Sequence, residues 1–132
     1  MLHKPLLLFF LVLSILIGFL QTLAIKYSLY FELPWLDVFM HVLGGIWIAL
    51  IFFSFSLFKR NGVMFSRLFF LITAATSVLF VSFLWEILEL SLKNTSISDP
   101  LYLMDTTIDF MSAFFGAILG WGILVWHYKI KK

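Results

Sequence analysis

Four apolar stretches, each about as long as a bilayer is thick, constrain this chain more than any other feature. They cover about 6–25, 38–58, 67–90 and 104–126 of its 132 residues. A helix needs ~20 apolar residues to cross the hydrocarbon core. Backbone N–H and C=O groups in lipid must pair within the protein, so only helices and closed barrels span a membrane. These stretches lack the alternating pattern of a barrel strand. The expected fold is therefore all-α: a polytopic four-transmembrane-helix bundle, read as a single membrane domain over 1–132. Composition agrees, because a chain that is 63% hydrophobic and 12% charged, with mean hydropathy +1.09, exceeds what a soluble fold can bury. The first stretch has a short basic start and a loosely cleavage-like Thr22-Leu23-Ala24. At spanning length it reads as a retained helix rather than a signal core of roughly 7–15 residues.

The joints are short: "KYSLYFELPWL", "KRNGVMFS" and "SLKNTSISDPLY". Asn61-Gly62 marks a turn, and Asp99-Pro100 reads as an N-cap followed by proline at the first helical position. Lys4, Lys59, Arg60, Arg67, Lys129, Lys131 and Lys132 fall on one side of a four-span chain, with only Lys26 and Lys93 opposite. The excess of basic residues marks the cytoplasmic side. Both termini are expected there, in the cell (inner) membrane.

All seven carboxylates lie on the other side or at the helix ends nearest it: Glu32, Asp37, Glu86, Glu89, Asp99, Asp105 and Asp109. The basic-residue rule does not require this. Asp37 and His41 are four apart, Glu86 and Glu89 three, and Asp105 and Asp109 four, and residues at these spacings share a helix face. Chain direction makes His41, Glu86 and Asp109 the deeper set and Asp37, Glu89 and Asp105 the shallower one. The faces continue inward through Gly44 on the second span, through Ser82 and Ala75 on the third, and through Ser112, Gly116 and Gly120 on the fourth. Small residues four apart let membrane helices approach closely, so the three polar pairs are expected to converge.

Ionised carboxylates this close repel strongly, so either several are protonated or a cation sits among them. An imidazole with carboxylates suits a divalent metal. The metal reading makes His41, Glu86 and Asp109 the ligand or acid–base set, with Asp37, Glu89 and Asp105 binding or orienting. Without a metal, one carboxyl with a raised pKa beside an ionised neighbour serves acid–base chemistry, with His41 as base. Each feature also has a structural explanation: a helix-end acid near headgroup water, an acid at a helix N-terminus, a packing histidine.

The absence of cysteine removes thiolate ligands and nucleophiles, and a net charge of +2 gives no case for nucleic acid. No arginine lies on the acidic side, so a phosphate group binds there only through a bridging metal, whereas a cationic headgroup needs none. Trp35, Trp85, Trp121 and Trp126 fit interfacial belts. Asn94-Thr95-Ser96 is a weak sequon.

"DVFMHVLGG", "WEILEL" and "DTTIDFMSAFFGAILG" together resemble the VanZ-like small bacterial membrane proteins. They resemble more closely a related uncharacterised inner-membrane family with an Asp-x-x-x-His, Trp-Glu-x-x-Glu, Asp-Thr-x-x-Asp order. The resemblance covers the last three spans. It implies a site at Asp37, His41, Glu86, Glu89, Asp105, Asp109 and Gly116, and a place in the cell envelope, but no settled reaction. Where those families tend to carry Asp or Asn, this chain has Ala113, with Ser112 one residue earlier as a substitute.

Three functions follow. The leading one is metal-assisted binding or processing of a lipid-linked or headgroup envelope substrate in a pocket facing outward, which leaves open whether the protein is an enzyme. The second is a cation or proton transport component, expected to be a homo-oligomer. The third is a structural or accessory subunit whose charged pairs fix helix register. The lipid bilayer is the partner common to all three.

Overall fold

The computed structural model describes residues 4–58, 67–92 and 97–129. Helix α1 covers Lys4–Lys26, α2 Leu29–Glu32, α3 Pro34–Phe58, α4 Arg67–Leu92 and α5 Tyr102–Lys129, with no strand among the described residues. Four of the five are long and apolar enough to cross a membrane, giving the all-helical four-span bundle the apolar stretches dictate. The outward surface carries Leu8, Ile15, Phe19, Phe80 and Phe83, as expected where the solvent is hydrocarbon and apolar exposure is free of cost. The Asn61-Gly62 turn, the Asn94 sequon and most of the basic residues used for orientation lie outside the described residues.

Helix α3 is the centre, with 44% of its spanning stretch buried against 11% for α1. It packs on α1, α2, α4 and α5, whereas among the described residues α1 reaches only α2 and α3. The α3–α5 seam is made by small residues. A Cβ on Gly45 would drive into the backbone carbonyl of Ala113, and one on Gly116 into that of Val42; one on Gly120 would stop 3.0 Å from Ala49 Cβ. Ile48, Ala49, Val78, Ala113 and Ala117 fill the space beside them. On the opposite side Leu13, Ala24, Leu36, Met40, Leu43 and Leu50 form a second cluster. There Phe10 stacks on Trp47 at 5.5 Å, and Trp47 Nε1 donates to Ser14 Oγ at 2.7 Å.

Two local features differ from expectation. The first joint contains a helical turn, α2, entered through Ser28 at φ 55°. That left-handed residue reverses the chain so that α2 folds back onto α1 and α3. The Asp99 cap forms, its carboxylate accepting the Leu101 N–H at 2.8 Å, but over a turn at 97–101 that precedes the regular start of α5 at Tyr102.

Candidate functional site

The first turns of α3 and α5 and the last turns of α4 meet at one end of the bundle, and each brings its polar pair. His41, Glu86 and Asp109 are buried, Asp37 and Glu89 half-buried, and Asp105 exposed. The order of depth follows from helix direction: α3 and α5 descend from this end while α4 rises toward it. The three donor sets overlap. Asp37, His41 and Glu89 form one, Asp37, Asp105 and Asp109 a second, and Glu86, Glu89 and Asp109 a third; within each set the ligand atoms lie within 4.8 Å of one another. Oxygen ligands sit ~2.0–2.6 Å from Mg²⁺ or Ca²⁺, so atoms at that separation are within reach of one common ion.

His41 is the pivot. Its Nε2 lies 3.7 Å from Asp37 Oδ1 and 3.7 Å from Asp109 Oδ1, too far for a hydrogen bond. Those three atoms are buried without a hydrogen-bond partner. His41 is 8% exposed and Asp109 3%. An unpaired buried polar group costs ~1–3 kcal/mol, more when charged, so the arrangement is expensive unless something fits between the side chains. Glu86 is better supplied, because Thr106 Oγ1 donates to its Oε1 at 3.0 Å. The Trp85 ring meets His41 edge-on at 6.2 Å. At an effective dielectric of 20, two ionised carboxylates 4 Å apart repel by ~4 kcal/mol, which a divalent cation among them would reverse.

Two cavities flank this layer. A vestibule of about 290 Å³ is lined by Ser28, Tyr30, Asp37, Glu89, Asp99 and Asp105 among others, with no Lys or Arg among the described residues of its wall. It opens where the α1–α3 joint meets the start of α5. Burial pushes the Tyr30 phenol up above its ordinary range, and the charges of Asp37 and Glu89 add to that. The phenol thus keeps its proton, which it donates to Gln21 Oε1. A smaller cavity of about 70 Å³ lies on the other side of His41, lined mainly by apolar residues between α1 and α4.

Sequence reasoning missed four residues of this site. Thr106 was legible from its spacing, four from Tyr102 and three from Asp109 on the buried side of α5. Tyr30 and Gln21 meet only through the α2 turn, which carries no apolar period. Trp85, expected in an interfacial belt, instead faces His41 because it stands four residues from Glu89 on the inward side of α4. Ser112 supplies nothing to the site, since its hydroxyl donates to the Ile108 carbonyl of its own helix at 2.7 Å. Ala113 is the residue on the buried face, and its carbonyl is where Gly45 rests.

No curated protein matches the chain, and no solved structure does. A family model does, described as a predicted membrane protein family (DUF2238), over residues 2–130. This agrees with the expected uncharacterised membrane family and leaves the VanZ likeness as a resemblance. From four membrane-length helices and a match along nearly its whole length, the chain belongs to the DUF2238 family of predicted membrane proteins.

Proposed function

We propose that this protein holds a divalent cation among His41, Glu86 and Asp109, with Asp37, Glu89 and Asp105 completing or orienting the site, and uses it to bind or process a lipid-linked or headgroup substrate. The observation that carries this reading is the trio of buried, unpaired atoms on Asp37, His41 and Asp109. Carboxylate oxygens and an imidazole nitrogen at mutual distances an ion can bridge are the donors that Mg²⁺, Mn²⁺ or Zn²⁺ take. Thr106 on Glu86 would fix a ligand's orientation, as outer hydrogen bonds do in metal sites. A bound cation would supply Lewis acidity and a bridge to an anionic group, which no Lys or Arg among the described residues of the vestibule supplies. The distribution of basic residues supports a site on the extracytoplasmic face of the cell inner membrane.

The test is thermal unfolding of chelator-stripped, detergent-purified protein with Mg²⁺, Mn²⁺, Zn²⁺ or Ca²⁺ added back. A ligand at 100 times its Kd stabilises the folded state by ~2.7 kcal/mol. The expected result is a saturable rise in melting temperature for at least one ion. No rise with any of the four removes the metal and leaves the cation-path or register-fixing readings, to be separated by proton flux.

A further inference from the structure

The donor layer is wider than the surroundings of one ion. Asp105 groups with Asp37 and Asp109, and in neither of the sets that contain His41, Glu86 or Glu89. A cation held by His41, Glu86 and Asp109 therefore leaves Asp105 unused. The three donor sets also meet pairwise, each pair in one carboxylate: Asp37, Glu89 or Asp109. A carboxylate has two oxygens, and one shared between two donor sets can bridge two cations. Asp109 is the shared member that is best buried. It is 3% exposed, its Oδ1 has no hydrogen-bond partner, and it belongs both to the set with Asp37 and Asp105 and to the set with Glu86 and Glu89. Exposed acids cluster without any ligand, but a buried carboxylate oxygen left unpaired is costly unless a cation meets it. Charge points the same way. One divalent ion offsets only part of the negative charge of Asp37, Glu86, Glu89, Asp105 and Asp109, and no Lys or Arg among the described residues lines the vestibule beside them.

From this geometry we infer that a second divalent cation binds on the vestibule side of the first, held by Asp37, Asp105 and Asp109, with Asp109 bridging the two. This rests on the proposed inner site, because Asp109 serves both. The outer set is all oxygen, whereas the inner one includes an imidazole, so the outer ion belongs to the hard class of Mg²⁺, Ca²⁺ and Mn²⁺. Asp37 and Asp105 line the vestibule of about 290 Å³, and Asp105 is exposed. An ion there keeps several waters, as Mg²⁺ does in protein sites, and those are the positions that an anionic oxygen entering the vestibule would take. With an exposed ligand and water on one side, the outer ion is the weaker bound, and it is lost from protein purified without added metal.

The probe is Mn²⁺ alone, titrated into chelator-stripped full-length protein in detergent and followed by electron paramagnetic resonance. The expected result is a tight phase of one ion per chain and then a weaker phase of one more. Ions in two-metal sites lie ~3.5–4 Å apart, close enough to couple. As the weaker phase fills, the hyperfine sextet of isolated bound Mn²⁺ should therefore give way to an exchange-coupled signal. Asp105→Asn, a change at an exposed position, should weaken the second phase about ten-fold or more, the change that ~1.4 kcal/mol of lost affinity produces. It should abolish the coupled signal and leave the first phase in place. Saturation at one ion with the isolated signal overturns the second ion and leaves the metal reading standing. A second ion without coupling overturns the Asp109 bridge, and a second phase indifferent to Asp105→Asn overturns the outer ligand set. No binding at all overturns the inner site and this inference together. The titration of the parent protein decides between one ion and two even where the variant does not fold.

Discussion

Gly44 and Gly45 are neighbours on α3 and face opposite fates. Gly45 is pressed against α5, where its missing Cβ is the condition for the two backbones to meet; Gly44 looks across open space toward α1 and α4. The α3–α5 seam is therefore a closed joint and the α1–α4 side an open one. Both flank the same histidine. The comparison teaches that the chain spends its small residues in two ways. One set brings Asp37 and His41 within reach of Asp105 and Asp109, and the other leaves a small cavity beside His41. Helix α1 is fastened to α3 by an apolar cluster and a Trp47–Ser14 hydrogen bond, and among the described residues it does not reach α4 or α5.

The sharpest way to break this comparison is to put the same side chain at both glycines. Overpacking a core costs typically 1–3 kcal/mol, and at Gly45 the obstacle is backbone rather than a movable side chain. Gly45→Leu and Gly116→Leu should abolish recovery of monodisperse protein in gel filtration, while Gly44→Leu elutes as the parent and melts within ~1 kcal/mol of it. Equal damage at 44 and 45 would mean the open side is closed in the working protein.

A smaller effect is expected within the acid layer. Asp109→Asn removes a buried, unpaired carboxylate and should eliminate the metal-induced rise in melting temperature, worth ~2.7 kcal/mol at 100 times Kd. Asp105→Asn alters an exposed one and should retain most of that rise. A titration of thermal shift against metal concentration ranks the two; the reverse order would show that the ion, if bound, sits in the vestibule mouth instead.

Smaller again is the fastening of α1. Trp47→Phe and Ser14→Ala should each cost ~1 kcal/mol. In a double-mutant cycle read by thermal unfolding the two losses should not add. Additive losses would mean that the hydrogen bond does not hold α1. Gly44→Ala should change stability least of all, because its methyl enters empty space.

The spans were legible because a bilayer imposes its thickness on apolar runs, and the meeting of three polar pairs because helical spacing fixes faces. Those runs place Asp37, His41, Glu86, Glu89, Asp105 and Asp109 at one end of the bundle with no appeal to contacts. The partner of each small residue was not legible. Gly44 and Gly45 are the same letter, and which one meets α5 depends on how α3 is rotated against α5. Ser112 and Ala113 differ by one position, or about 100° around the helix. That was enough to assign Ser112 to the site when its hydroxyl is bonded within α5 and Ala113 occupies the seam. The α2 turn was invisible because four residues carry no period, and Tyr30 and Gln21 were hidden with it.

The central claim is that the unpaired atoms of Asp37, His41 and Asp109 surround a cation. The most direct measurement is metal content by inductively coupled plasma mass spectrometry on detergent-purified protein, beside an Asp109→Asn variant with the same gel-filtration profile. The account predicts a divalent metal near one per chain in the parent and its loss in the variant. Metal at background in both proteins, or equal metal in both, would contradict it.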